Sequence, residues 1–157
     1  MRANFGLSTR KIDHEGTKDT KVHKGIFMSH QEIDFRTQKI ATAVIDAGLK
    51  VHKLLGPGLL ESAYEHCLAF ELSQRGFSTR QQVALPVIYE GIKLDAGYRL
   101  DIIVNEAVIL EIKSVEALAP IHEAQLLTYL KLSGLRIGLL LNFNVALFKQ
   151  GIKRFVV

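Results

Sequence analysis

Residues 137–143 read IGLLLNF, an apolar run with almost no polar interruption. A run this short and this apolar fits a strand covered on both faces, the usual state inside a parallel or mixed sheet. Two segments upstream lies a second apolar run, VILEIKSV at 108–115. Between them, Pro120 opens a helical stretch that continues to about Ser133, and Gly134 follows it. Proline suits a first helical turn and glycine suits the position after the last. Strand, helix and strand in this order predict a right-handed parallel crossover, and so an α/β domain with a mixed sheet.

The preceding segments extend that plan. Ile40, Val44, Ala47, Val51 and Leu54 recur at helical spacing, and Gly56-Pro57-Gly58 ends the run. A second helix is predicted over about Leu60 to Arg75, closed by Gly76. Val83, Leu85, Val87 and Tyr89 alternate as in a strand, with Pro86 pointing to a sheet edge. Glu90-Gly91 reads as a tight turn into a short strand at 92–94, followed by strands at about 98–104 and 108–115. A last short strand is expected at 152–157. The predicted order is ααββββαββ.

Residues 1–34 differ in kind. The stretch STRKIDHEGTKDTKVHKG is polar, charged and aperiodic, so it is read as a flexible arm, with one domain at 35–157. The arm holds His14, His23 and His30, too widely spaced to suggest a metal site. At 157 residues and 48% apolar content, a core can form without disulfides, and the single cysteine, Cys67, excludes an internal one. This fits a reduced, cytoplasmic setting. No apolar stretch approaches the ~20 residues of a membrane span, and no signal-peptide core is present. A net charge of +4, spread along the chain, permits a nucleic-acid partner without requiring one.

The chemistry concentrates in YRLDIIVNEAVILEIK, residues 98–113. Leu100, Ile102 and Val104 form one face of a strand, and Val108, Leu110 and Ile112 form one face of the next. Joining these faces places 102 opposite 110, or offset from it by an even number, whereas a two-residue turn at Asn105-Glu106 would pair 102 with 109. An odd-length connection or a bulge is therefore predicted. In that register Asp101 faces Glu111, with Lys113 one step along. Two carboxylates so close repel unless a cation lies between them, and Mg²⁺ takes such oxygen ligands. Taken alone, the same charges fit a solvated strand face with a cross-strand ion pair equally well. On the third helix His122, Gln125 and Tyr129 share a face, either toward the same cleft or simply wetted. In GLLESAY, residues 58–64, Glu61 sits in a first helical turn where the dipole favours an acid.

Together these residues resemble a known family. Gly58-Leu-Leu-Glu61-Ser-Ala-Tyr64 matches the motif of the GxxExxY family of bacterial proteins. Asp101 followed by Glu111-Ile112-Lys113 resembles the core motif of the PD-(D/E)XK nuclease superfamily, and Gln125-Leu-Leu-Thr-Tyr129 resembles its Gln-xxx-Tyr element. The likeness runs from about Ile40 to Val157. Arg99-Leu100 stand before Asp101, where the superfamily's name has a proline. The resemblance implies a restriction-endonuclease-like sheet flanked by helices and a Mg²⁺ or Mn²⁺ site. It implies that Asp101 and Glu111 bind the metal, that the Ile112 carbonyl completes the set, and that Glu61 reaches it through water. Lys113 would orient the attacking water, Gln125 would position Lys113 or substrate, and Tyr129 would contact the phosphate backbone or brace the helix. The expected function is phosphodiester hydrolysis of nucleic acid, DNA foremost, by a Mg-activated water. The alternative is a non-catalytic nucleic-acid-binding or assembly protein on the same fold, for instance a homo-oligomeric ring. No GxxxxGKS-type phosphate loop is present, which argues against nucleotide triphosphate hydrolysis by that route.

Overall fold

The computed structural model describes residues 33–157, so most of the predicted arm, with His14, His23 and His30, lies outside the described residues. The domain begins with two helices, α1 (Phe35–Leu55) and α2 (Glu61–Gln74). Asp34 caps α1, its carboxylate accepting from the Thr37 amide at 2.9 Å. The Gly56-Pro57-Gly58 break falls between the helices as expected, with Gly56 and Gly58 at φ 67° and 102°.

Five strands follow, with a third helix among them: β1 (Thr79–Tyr89), β2 (Ile92–Val104), β3 (Val108–Lys113), α3 (Pro120–Ser133), β4 (Ile137–Asn142) and β5 (Ile152–Val156). A 3₁₀ turn at Phe148–Gly151 leads into β5. The sheet order is β1-β2-β3-β4-β5. β3 and β4 run parallel and every other neighbouring pair is antiparallel, so the sheet is mixed and α3 joins two parallel strands, as predicted. β4 is buried at all six positions.

One element differs from the sequence reading. The segments expected as two strands, 92–94 and 98–104, form a single β2. The cause is an irregularity opposite Pro86. Leu85 pairs with Tyr98 but Val87 pairs with Leu94, so Pro86 faces the three residues 95–97. Gly97, at φ 72°, takes up the bend. Pro86 lies on an edge strand, where its missing donor costs no ladder bond on the outer side.

The core has two layers. One cluster joins α1 and α2 to the sheet through Val44, Leu68, Ile102, Leu110, Ile112 and Leu141. The other joins α3 to the opposite face through Leu126, Leu130, Ile103, Ile109 and Leu140. A Cβ at Gly138 would stand 2.8 Å from Leu126 Cδ1, so α3 lies close against β4. No helix among the described residues is long and apolar enough to cross a membrane.

Candidate metal centre

The hairpin from β2 to β3 sets the geometry. Ile102 pairs with Leu110 and Val104 with Val108 across a three-residue connection, the odd length that the two apolar faces demand. Asn105 and Glu106 both take left-handed φ values, 50° and 52°, and the Ala107 amide donates to the Val104 carbonyl. With this register fixed, alternation puts Glu111 and Lys113 on the side of Ile109, which faces α3.

The ladder between β2 and β3 ends at Ile102↔Leu110, so Asp101 and Glu111 are not a regular cross-strand pair. Asp101 instead bends into the gap, where its Oδ2 accepts the Ile112 amide at 2.7 Å. A side chain thus takes the bond that the next ladder carbonyl would have made. Glu111 is 1% exposed. Its Oε1 accepts from Lys113 Nζ at 2.7 Å, while its Oε2 is buried with no hydrogen-bond partner among the described residues. Glu61, the first residue of α2, reaches the end of β3, where its Oε1 accepts the Ser114 amide at 3.1 Å. The Ser114 hydroxyl donates to the Leu59 carbonyl at 2.6 Å and pins the two elements together.

The electrostatics follow from burial. Glu111 is pushed up to about 7, first by desolvation and then by the field of Asp101, and Lys113 offsets only part of this. Burial also raises Asp101, against the lowering effect of the Ile112 amide and Lys113. Burial works against charge on Lys113, but the hydrogen bond and field of Glu111, with Glu61 and Asp101 behind it, leave its pKa raised. Lys113 is therefore an ammonium at neutral pH.

Tyr129 is 2% exposed, and its hydroxyl accepts from Gln125 Nε2 at 2.5 Å. Burial raises its pKa, and Glu111 and Asp101 raise it further, so the ring lies within electrostatic reach of both acids. Gln125 thus engages Tyr129 rather than Lys113. His122 accepts the Ala119 amide at 3.1 Å through Nδ1 and serves as a cap on α3. Tyr64 is fully buried and structural. It stacks on Phe143 at 4.4 Å, donates to the Gly56 carbonyl at 2.6 Å and accepts the Leu59 amide at 3.1 Å.

Two residues beside the site went unnoticed in the sequence. Glu65, one helical turn beyond Glu61, is 6% exposed, and its Oε1 has no partner. Its Oε2 accepts from Gln82 Nε2 at 2.8 Å. Burial raises the pKa of Glu65, and Asp101 adds to the effect. The i, i+4 spacing from Glu61 was a usable signal for Glu65; nothing in the local sequence marked Gln82.

No three His, Cys, Asp or Glu side chains among the described residues converge as a ready-made cage for an ion. Each carboxylate is drawn to its own donor. The set still fits a small hard cation. Mg²⁺ is commonly held by one or two carboxylates with waters completing its shell, and Glu111 Oε2 is a carboxylate oxygen buried with no donor among the described residues, which could serve such an ion.

No curated protein and no solved structure matches the chain. The family model of the PD-(D/E)XK nuclease superfamily matches residues 38–155, a span that holds Glu61, Asp101, Glu111, Lys113, Gln125 and Tyr129. The chain belongs to the PD-(D/E)XK nuclease superfamily.

Proposed function

We propose that the protein is a divalent-cation-dependent nuclease of the GxxExxY kind, hydrolysing phosphodiester bonds in nucleic acid, with DNA as the leading substrate. The observation that carries this reading is the buried Glu111, whose unpartnered Oε2 sits beside the Lys113 ammonium and within the field of Asp101. A buried, repelling pair of acids costs stability, and replacing such charges by apolar groups is often stabilising. Packing gives no reason for them to be there.

Asp101 and Glu111 would hold Mg²⁺ or Mn²⁺, with Glu61 close by at the end of β3 and the Ile112 carbonyl as a further oxygen ligand. Such an ion lowers the pKa of water and offsets charge on a phosphate. Lys113 keeps its proton at Nζ, so it acts as a hydrogen-bond donor and positive charge toward the water or a phosphate oxygen rather than as a base. The bond from Gln125 to Tyr129, within α3, fixes the Gln125 amide and leaves its carbonyl oxygen as an acceptor for substrate.

The test is cleavage of linear, circular and single-stranded DNA and of RNA with Mg²⁺ or Mn²⁺ present. Asp101→Ala and Lys113→Ala should each abolish cleavage while leaving the fold intact by circular dichroism. Full activity in both variants would overturn the assignment. Nucleic-acid binding without cleavage by the wild type would favour a non-catalytic binding or assembly role.

A further inference from the structure

We propose that Gln82 and Glu65 form a positioning unit that fixes the orientation of the Asp101 carboxylate. This rests on the reading of Asp101 as a cation ligand.

Gln82 lies between two ladder pairs, Gln81↔Ile102 and Val83↔Leu100, so the residue across from it is Asp101. The pair itself is missing from the ladder, because Gln82 takes a left-handed φ of 51° in the middle of β1. A non-glycine residue in that region is strained, and such strain gathers at functional sites. The sheet gains nothing from the break. What the break does is aim the Gln82 side chain.

A glutamine amide nitrogen carries two protons. Nε2 of Gln82 donates to Glu65 Oε2 at 2.8 Å. The same side chain stands across from Asp101 in the register and lies close enough to lower the pKa of its carboxylate. Asp101 is therefore flanked on two sides, bonded by the Ile112 amide across the gap and faced by Gln82 from the edge strand. Glu65 anchors this arrangement. A carboxylate 6% exposed on a helix face is costly, and a leucine there would serve packing better. Its one hydrogen bond goes to Gln82. Glu65 thus restrains the amide that restrains Asp101. Three residues from α2, β1 and β2 converge where β2 and β3 part.

The test is calorimetric Mn²⁺ titration of the full chain and of the Gln82→Ala, Glu65→Leu and Glu65→Gln variants. Gln82→Ala and Glu65→Leu should each weaken Mn²⁺ binding about tenfold. Glu65→Gln keeps an acceptor for Gln82 and should bind within about twofold of wild type. The double variant Glu65→Leu/Gln82→Ala should be no worse than Gln82→Ala alone. Unchanged affinity in Gln82→Ala, a Glu65→Gln variant as weak as Glu65→Leu, or additive losses would each overturn the proposal. A crystal structure of Gln82→Ala supplies a readout that needs no cation. The Asp101 carboxylate should leave the Ile112 amide, and an unmoved carboxylate overturns the proposal. Failure of the wild type to bind Mn²⁺ would count against the nuclease reading, and this structural comparison would still decide the role of Gln82.

Discussion

Asp101 Oδ2 accepts the Ile112 amide at 2.7 Å, one step past the last ladder pair of β2 and β3. The site is built into the point where two strands separate. The acid nearest the gap serves as backbone partner and candidate ligand at once.

Glu111 makes stability pH-dependent. Its folded pKa, about 7, lies above its ordinary value of 4.5, so the folded state binds more protons between those limits. Stability therefore falls as pH rises through that window. Urea melts without divalent cations should show a lower midpoint at pH 8 than at pH 5.5. Glu111→Gln should remove much of the dependence and gain about 1–3 kcal/mol at pH 8, because a neutral amide replaces a carboxylate whose charge is disfavoured in the fold. Added Mn²⁺ should stabilise the wild type at pH 8 but not this variant.

Lys113→Met removes the one cation bonded to Glu111 among the described residues. The Glu111 pKa should rise further above 7, which carboxyl carbon NMR would follow through the titration. Protonation relieves the stranded charge, so the stability loss should fall below the ~3–5 kcal/mol usual for a broken buried pair.

Tyr64→Phe keeps the stack on Phe143 but removes the hydroxyl shared by the Gly56 carbonyl and the Leu59 amide. The expected cost is about 1–3 kcal/mol, measured by chemical denaturation. Because Leu59 also accepts from Ser114, which bonds Glu61, the variant should lose cleavage activity beyond its loss of fold.

Gly151→Ala should be among the most damaging small substitutions. A Cβ there would stand 2.1 Å from the Asn142 carbonyl oxygen, a backbone atom that cannot swing aside. Asn142 holds the exit of β3, donating to the Val115 carbonyl at 2.8 Å and accepting its amide at 3.0 Å. Loss of more than ~3 kcal/mol is expected, against about 1–3 kcal/mol for Gly138→Ala, whose new methyl meets the Leu126 side chain first. Thermal melts of the two variants would show the order.

The helix limits were legible because their signals are local: Gly56-Pro57-Gly58 on one side, Pro120 and Gly134 on the other. The parity of the β2–β3 register was legible because two apolar faces admit only one, and the pairing of 102 with 110 is one of the registers that it allows. The same parity put Asp101 and Glu111 on one side but could not show that the ladder stops between them. That end depends on a bond from a side chain to the backbone of another strand. The merging of 92–94 with 98–104 was not legible because it depends on residues 95–97 facing Pro86 of another strand as an irregularity. Glu65 and Gln82 escaped because their meaning is tertiary. A glutamate on a helix and a glutamine in a strand look solvated until the fold turns them toward each other.

The β1–β2 hairpin outruns the sheet. Near its tip, Ile88, Tyr89 and Ile92 are each more than 60% exposed, and β3 gives β2 no partner beyond Ile102. A two-stranded ribbon is marginal by itself, so its outer amides should exchange with solvent by local opening, long before the global unfolding that frees β4. Gln82 and Asp101 stand near the boundary between these two regimes. Any ligand that laid the ribbon down would reach the acids through the backbone they share with it.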